Sequence, residues 1–310
     1  MLDIALAGTG GFMPMHNRYL TAMLARLQGR MLLIDCGEGT QMTLRRVGWG
    51  FKDIDLICFT HFHADHTAGL PGLLLTIGNA GRTEPITIAG PKGIREVASH
   101  LCVIAPLPFA PRFIELSPKG GDPVDFRVGP FHLSAMALNH HMPCLGYRLD
   151  VPRAGKFDAE KAKRLGLPLT TWSRLQKGDT IVHEGKRFTP DMVMGPARKG
   201  LRVSYITDTR PTPHIPGFIR GSDLFIAEGL YGDDLLLDQA AQKKHMVFSE
   251  AAALARDGGV GELWLTHFSP AMPDPGAWLD SAKGIFPPSR AGHDRMTKTL
   301  RFQDEGTDHA

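Results

Sequence analysis

A chain of 310 residues with 43% hydrophobic and 22% charged residues has ordinary globular usage, which excludes a disordered chain, a fibre and a coiled coil. Lys and Arg number 35 against 32 Asp and Glu, so any nucleic-acid surface must be a local patch. The N-terminus carries Asp3 and no basic segment, and no stretch reaches roughly 20 apolar residues. We therefore expect neither a secretory signal nor a membrane helix. Four scattered cysteines without a CxxC favour the reducing cytoplasm.

Apolar runs of strand length alternate with helical patterns along the chain. The first half predicts strands at 2–7, 19–27, 31–35, 54–60 and 86–89, and helices at 68–77 and 93–102. Two antiparallel strands that turn at 129–130 are expected within 126–139. The second half predicts strands at 201–207, 224–227 and 263–266, and helices at about 233–243, 249–257 and 275–284. This alternation indicates an α/β layered fold, which we interpret as one domain over residues 1–310.

One polar segment, residues 150–200, interrupts the alternation and shows no convincing buried strand. It carries 11 basic and six acidic residues, a net charge of +5, so the remaining 259 residues sum to −2. The positive excess of the whole chain therefore lies in this segment. We interpret it as a basic arm inserted into the domain.

The strongest chemical signal is the run Thr-His-Phe-His-Ala-Asp-His at 60–66, which follows a buried strand pattern and precedes a helical one. Side chains two residues apart in an extended chain point the same way, so His61 and His63 can hold one cation. Asp65 and His66 lie where the chain turns into a helix and can face a second cation. This donor set suits Zn²⁺, with Mn²⁺ and Fe²⁺ as alternatives. Three His and one Asp within six residues disfavour a chance run of surface histidines.

Three later strand patterns also end at a residue of metal-ligand type. These residues are His140, Asp208 and His267. Taken singly, each is more often a cap or turn residue, but together with the first cluster they complete two ligand sets. The expected sets are His61, His63 and His140 for one ion, Asp65, His66 and His267 for the other, and Asp208 as the bridge. Ions bridged in this way lie roughly 3.5–4 Å apart and suit in-line displacement at phosphorus.

Motifs along nearly the whole chain resemble those of the ribonuclease Z family within the metallo-β-lactamase superfamily. HxHxDH specifies the superfamily, whereas GLPGLL at 69–74, GYR at 146–148 and the motif that begins at His245 are similar to ribonuclease Z. The other resembling pieces are AGTGG near the start, LLIDCGEGTQ at 32–41, IAGPKGI at 88–94, LRVSYITDTR at 201–210, AEGLY at 227–231 and LWLTHFSP at 263–270. The resemblance implies a four-layer αβ/βα sandwich, two Zn²⁺ per subunit, and usually a homodimer. It also selects His140 rather than His141 as the ligand.

The resemblance also implies a mechanism for cleavage of a phosphodiester in precursor tRNA. An activated water attacks the phosphorus, and Asp65 accepts its proton. The leaving 3′-oxygen then takes a proton from His245, which Glu228 orients by a hydrogen bond. The residues alone favour the interpretation of His245 as a surface histidine at the start of a helix.

In the resemblance, residues 150–200 correspond to an extended arm that clasps the tRNA body. A basic projection contacts phosphates without reading sequence, although an ordinary solvated loop is the alternative. The arm departs from the family pattern because Leu169 and Thr170 stand where a Gly-Pro pair is usual. Two other departures are Gly229-Leu230 after Glu228 and Ala64 before Asp65.

Two rival functions use the same residues differently. One is a metal-dependent hydrolase of small phosphodiesters or sulfate esters, which has no need of a basic arm. The other is a non-catalytic RNA-binding protein, which the complete set of seven ligands disfavours.

Two turns near the expected site have open interpretations. Asp35 is either a partner of a ligand histidine or a plain turn residue. The glycines at 8, 10 and 11 lack the GxGxxG spacing of a dinucleotide site, so we expect them to allow close approach of chain segments.

Overall fold

A computed structural model describes residues 1–303 of the chain. The described residues divide into two compact units, one formed by residues 1–150 and 202–301 and the other by residues 151–201 with residues 302–303. We call them the main unit and the arm unit.

Within the described residues, the strands form two seven-stranded sheets and one hairpin. The strands are β1 Leu2–Gly8, β2 Ala22–Leu27, β3 Arg30–Ile34, β4 Ile54–Cys58, β5 Thr87–Pro91, β6 Arg112–Leu116, β7 Val124–Val128, β8 Phe131–Leu138, β9 Cys144–Arg153, β10 Ile181–His183, β11 Lys186–Phe188, β12 Arg198–Ile206, β13 Leu224–Glu228, β14 Leu263–Thr266, β15 Ser289–Ala291 and β16 Thr297–Leu300. The first sheet has the order β16-β1-β2-β3-β4-β5-β6, and the second has the order β15-β14-β13-β12-β9-β8-β7.

Helices follow most of the parallel strands. They are α1 Thr40–Val47, α2 Ala64–Thr67, α3 Leu70–Asn79, α4 Ile94–Leu101, α5 Ala159–Arg164, α6 Leu169–Gln176, α7 Ile215–Ile219, α8 Leu237–Lys243, α9 Phe248–Gly258 and α10 Leu279–Ile285. Short 3-10 helices lie at Cys102–Ile104, Pro190–Met192, Asp234–Leu236 and Pro275–Trp278.

The main unit has four layers, because each sheet packs helices on one face and the other sheet on the opposite face. α1, α3 and α4 bury their apolar side chains against the first sheet, and α7, α9 and α10 against the second. Between the sheets, Tyr147 Oη donates to the carbonyl of Phe59 at 2.7 Å. The expected αβ/βα sandwich is therefore confirmed.

Strand composition explains which segments lie at the centre of the sheets. β13 and β14 are buried along their whole length, and β4 is nearly so, as continuous apolar runs predict for parallel strands covered on both faces. β3 to β6 are parallel, as are β12 to β15, so the carboxyl ends of β4, β12, β13 and β14 can converge on one site.

Several expected elements differ in the structure. The strand expected from residue 19 begins only at Ala22, because Tyr19 bonds to loops instead of to a ladder: its N–H donates to Asp294 at 2.7 Å and its carbonyl accepts from Gly10 N–H at 2.8 Å. The helix expected at 68–77 is α3 at Leu70–Asn79, and the short helix α2 at Ala64–Thr67 precedes it. Further elements of the main unit were not expected from the sequence, namely α1, β6, β9, α7, β15 and β16.

The arm unit contains α5, α6 and the β10–β11 hairpin around a small apolar cluster of its own. The cluster is formed by Ala162, Leu167, Leu175, Ile181, Phe188 and Val193, with Phe157 and Trp172 packed against it. The expectation of no buried strand was wrong here, because Ile181 and Phe188 pair across the hairpin and are both buried. The sequence obscured this hairpin because exposed polar residues surround its two apolar ones.

Within residues 1–303, no helix combines the length and apolarity needed to cross a bilayer. All four cysteines are free, and burial raises the pKa of the Cys36, Cys58 and Cys144 thiols. Like buried thiols in general, these three are therefore inert.

Candidate metal centre and active site

The seven predicted metal ligands follow the ends of four strands and come together in one cluster. Four of them follow β4, namely His61, His63, Asp65 and His66, while His140 follows β8, Asp208 follows β12 and His267 follows β14. Six of the seven side chains are buried, and His63 is partly exposed. In contrast to His140, the neighbouring His141 is exposed and stands outside the cluster.

The first group of donors contains three histidines and one carboxylate. Ligand atoms of His61, His63, His140 and Asp208 all lie within 4.8 Å of one another. His63 Nδ1 lies 2.9 Å from His61 Nε2 and 3.4 Å from His140 Nε2. The three rings thus direct nitrogen atoms at a common point, as in a three-histidine metal site.

The second group joins the start of α2 to the end of β14. Ligand atoms of Asp65, His66 and His267 lie within 4.8 Å of one another. His66 Nε2 and His267 Nε2 are 3.2 Å apart, and Asp65 Oδ2 lies 3.4 Å from the latter. This is the second ligand set that the sequence predicts.

Asp208 lies between the two groups and faces both. Its Oδ1 is 3.4 Å from both His66 Nε2 and His267 Nε2. Its Oδ2 is 3.7 Å from His61 Nε2 and 4.0 Å from His140 Nε2. Each oxygen of this carboxylate therefore serves one group, which is the geometry of a bridging ligand.

Backbone and side-chain partners fix the orientation of the histidines. Asp35 accepts a hydrogen bond from His66 Nδ1 at 2.9 Å, and it also accepts from the N–H of Thr60 at 2.8 Å. His140 Nδ1 lies 3.3 Å from the carbonyl of Lys244. Each contact leaves Nε2 directed at the cluster, as the hydrogen-bond partners of metal-binding histidines generally do. Asp35 is thus both a residue of the turn after β3 and the partner of a ligand histidine.

We expect Asp35→Asn to lower metal affinity roughly 10–100-fold, the range for loss of an outer-shell partner. The amide removes the negative charge that holds the N–H of His66 and sets its tautomer. Titration of the stripped protein with Zn²⁺, followed by calorimetry, measures the change. Unchanged affinity would show that the turn alone positions His66.

The charges of the cluster fit bound cations. With Nδ1 of His66 donating to Asp35, Nε2 is the nitrogen left to face an ion, and it lies beside His267 Nε2 and Asp208 Oδ1. Burial lowers the pKa of His66, but Asp208 and Asp35 outweigh burial and hold this pKa well above its usual value. Burial lowers the pKa of His140 to about 4, so its ring is neutral and available as a ligand. The site as a whole therefore attracts positive charge.

His245 and Glu228 form a buried pair beside the cluster. His245 Nδ1 lies 2.8 Å from Glu228 Oε2, and the other carboxylate oxygen accepts from the N–H of Thr209 at 2.6 Å. Burial lowers the pKa of His245, but the Glu228 carboxylate reverses the effect and raises the pKa to about 9. His245 also groups with Asp208 and His267 as a possible donor set, yet the nitrogen 3.8 Å from Asp208 is the Nδ1 that Glu228 engages. The protonated ring suits proton donation.

Arg210 connects the loops that carry the site, a role that was not expected from the sequence. Its guanidinium donates to the carbonyl of His245 at 2.5 Å and forms an ion pair with Glu250. The backbone N–H of Arg210 donates to the carbonyl of Asn139 at 3.1 Å. Glu250 in turn accepts from the N–H of Val247 at the start of α9. The available signal was a Glu three residues into a helix, which predicts a capping role.

Left-handed backbone is concentrated at the site. Five of the eight described non-glycine residues with positive φ lie there, namely Phe12 at 66°, Asp35 at 62°, Asp208 at 54°, Lys244 at 54° and His267 at 58°. Asp and His tolerate this region better than most residues, but each such position still has a conformational cost. The tertiary structure therefore holds these segments in place.

The glycines of the first turn allow close approach of chain segments, as expected. A Cβ at Gly11 would lie 2.7 Å from Cε1 of His267, and one at Gly8 would lie 1.9 Å from the carbonyl oxygen of Leu20. A larger residue at Gly11 would therefore displace a predicted metal ligand.

Two solved structures share this fold over nearly the whole chain. A metallo-β-lactamase fold protein of Bacillus subtilis superposes with a TM-score of 0.68 at 18% identity and covers 96% of this chain and 98% of its own. The short form of human tRNase Z superposes with a TM-score of 0.70 at 23% identity and covers 97% of this chain and all of its own. The family model described as Anti-Pycsar protein Apyc1 matches residues 2–96.

The fold, the His/Asp cluster and the curated relatives together define a metal-dependent hydrolase of the metallo-β-lactamase superfamily. A curated relative named Ribonuclease Z, from Lachnospira eligens, is 50% identical over 307 residues, which are 99% of this chain and 100% of the relative. The chain belongs to the ribonuclease Z family.

Proposed function

We propose that the chain is a metal-dependent endoribonuclease that removes the 3′ trailer from precursor tRNA and leaves a 3′-hydroxyl on the tRNA. The observation that carries this proposal is the convergence of seven ligand-type side chains beside the buried His245–Glu228 pair. The cluster supplies a place for metal ions, and the pair supplies a proton donor. The full-length similarity to ribonuclease Z supports RNA as the substrate.

Two Zn²⁺ ions are the proposed cofactors, with Mn²⁺ and Fe²⁺ as alternatives. His61, His63 and His140 would hold one ion, and Asp65, His66 and His267 the other, with Asp208 shared. Bound zinc lowers the pKa of water to about 7 and neutralises charge on phosphoryl oxygens. The mixture of imidazole and carboxylate donors, without thiolate, is compatible with all three metals.

The protein's own residues supply the two proton transfers. Asp65 is the proposed acceptor for the proton of the attacking water; burial raises its pKa, but its hydrogen bond to His267 and the nearby His66 outweigh burial and keep it ionised. His245 is the proposed donor to the leaving 3′-oxygen. Glu228 orients the ring and keeps it protonated. Arg210 fixes the backbone of the same histidine.

The arm unit is the proposed binding site for the tRNA body, as a basic module at residues 150–200 inserted into a single catalytic domain. Lys177, Lys186 and Arg187 are exposed on its surface. Its small apolar cluster supports the helices and hairpin that display these side chains. Phosphate contacts of this kind position an RNA without reading its sequence.

Replacing Lys177, Lys186 and Arg187 together by alanine is expected to raise KM for precursor tRNA and leave kcat nearly unchanged. Each lost phosphate contact also removes close to one unit from the salt dependence, so the slope of log KM against log salt should fall by about three. Steady-state cleavage at several salt concentrations measures both effects.

Two comparisons control this experiment. Alanine at the exposed lysines 52, 119 and 283 removes the same charge from the main unit and should leave the slope intact. Deletion of about 153–198 should abolish tRNA cleavage but spare a small chromogenic phosphodiester. Survival of tRNA cleavage after the deletion would refute the role of the arm.

The direct test of function is incubation with a precursor tRNA that bears a 3′ trailer, with and without a chelator, followed by mapping of the 3′ ends. We expect one cut at the end of the tRNA, loss of activity in the chelator and recovery with Zn²⁺. Metal analysis of the purified protein should find two ions per chain. Cleavage of small phosphodiesters or sulfate esters without cleavage of tRNA would instead support the rival hydrolase.

We also propose a homodimer and a cytoplasmic location. The dimer rests on the resemblance to the family and is measured by light scattering during gel filtration. The location rests on four free cysteines, which a reducing compartment preserves.

A further inference from the structure

An exposed aromatic ring lies against the candidate active site. Phe12 exposes 45% of its surface, although most large aromatic side chains of the main unit are buried. Met13 and Met15 next to it expose 56% and 38%. The loop at 12–15 therefore presents apolar surface to solvent, with no role in the core.

The backbone of Phe12 forms a hydrogen bond with a proposed catalytic residue. Its N–H donates to Asp65 Oδ2 at 2.8 Å, the carboxylate of the proposed proton acceptor. Its φ of 66° is a left-handed conformation that an aromatic residue does not favour. The N–H of the preceding residue, Gly11, donates to the carbonyl of Phe268 at 3.0 Å. The ring is therefore held beside the site at a conformational cost.

The ring contacts two histidines of the site from the exposed side. Its centroid lies 5.8 Å from that of His245, with the planes at 82°, and 6.2 Å from that of His267, with the planes at 65°. The ammonium of Lys243, an exposed residue, lies 5.7 Å from the same centroid. An aromatic surface and a positive charge thus adjoin the proposed proton donor.

We propose that Phe12 is a stacking platform for the nucleobase of the nucleotide that carries the leaving 3′-oxygen, with Lys243 beside it for a phosphate of the same strand. The choice of nucleotide follows from the contact of the ring with His245, the proposed donor to that oxygen. Aromatic side chains bind single-stranded RNA in this way because every base has a π-face. This inference rests on the proposed function and adds a base-binding subsite to it.

The test is a cycle of two proteins and two substrates. Phe12→Leu keeps an apolar side chain but removes the aromatic face, and an abasic residue in the precursor RNA removes the base on the 5′ side of the cut. We expect each change alone to raise KM about 5- to 150-fold, the range for one stacked base. Both changes together should cost no more than one of them. Phe12→Trp should restore wild-type KM on the complete substrate.

Other results would overturn the proposal. If Phe12 merely shields Asp65, the Leu variant will lose kcat and lose it equally on the abasic RNA. Coupling to the base on the 3′ side of the cut would also contradict the assignment. Metal content and thermal melting of both variants establish that the site is intact. Failure of the proposed function is distinct, because then the unmodified protein does not cut precursor tRNA at all.

Discussion

Replacing Asp208 by asparagine is expected to abolish RNA cleavage and to release bound metal. Each carboxylate oxygen faces one of the two groups: Oδ1 lies 3.4 Å from the nitrogens of His66 and His267, and Oδ2 lies 3.7–4.0 Å from those of His61 and His140. An amide offers one oxygen and no negative charge, so it serves one group at most. The loss of activity should exceed the roughly 10–100-fold typical of an outer-shell partner.

The measurement pairs metal analysis with cleavage of precursor tRNA and of a small chromogenic phosphodiester. Both substrates should fail, because both need the metal ions. Asp257→Asn is a matched control, since Asp257 is an exposed carboxylate on α9 that forms an ion pair with the exposed Arg256. A fully active Asp208 variant with two ions bound would eliminate the bridging role.

Replacing His245 by alanine is expected to reduce tRNA cleavage by roughly 10²–10⁴-fold while the protein keeps its metal ions. The ring is the proposed acid for the 3′-oxygen, a poor leaving group that needs a proton. A p-nitrophenolate anion leaves without protonation, so the small chromogenic diester should lose far less. The distinguishing result is therefore a loss that depends on the leaving group.

Glu228→Gln tests the same proton donor indirectly. The amide retains the shape but removes the charge that raises the pKa of His245 to about 9. We expect a smaller loss in the same leaving-group pattern and no further loss when the change is added to His245→Ala. Equal losses on both substrates would instead point to damage of the metal site, and full activity of His245→Ala with intact metals would remove this residue from the mechanism.

Four of the seven expected metal ligands could be predicted from the local sequence. His61, His63, Asp65 and His66 are six residues from end to end, and the strand-to-helix transition that orients them has a clear hydrophobic pattern. His140, Asp208 and His267 were readable only as residues that follow apolar strands, a weak signal when each is taken singly. The family resemblance supplied the pairing of Glu228 with His245, which lie 2.8 Å apart in the structure.

Other features depend on chain segments that are distant in sequence. Arg210 reaches His245 and Glu250 only because β12 and α9 are brought together, and the local sequence of neither segment predicts this contact. The left-handed backbone of Phe12 and its hydrogen bond to Asp65 arise in the same way. Local propensity gives no indication of them, because an aromatic residue does not favour that conformation.

By itself, the sequence determined the layered α/β class, the metal-ligand chemistry and the basic character of residues 150–200, because each is set by hydrophobic periodicity or side-chain type along a short stretch. Only the tertiary structure decided that the seven ligands meet within two groups, that Asp208 faces both, and that Phe12 is exposed beside His245. The physical reason is that these relations are made by long-range packing of two sheets, which fixes distances between segments more than two hundred residues apart, such as His66 and His267.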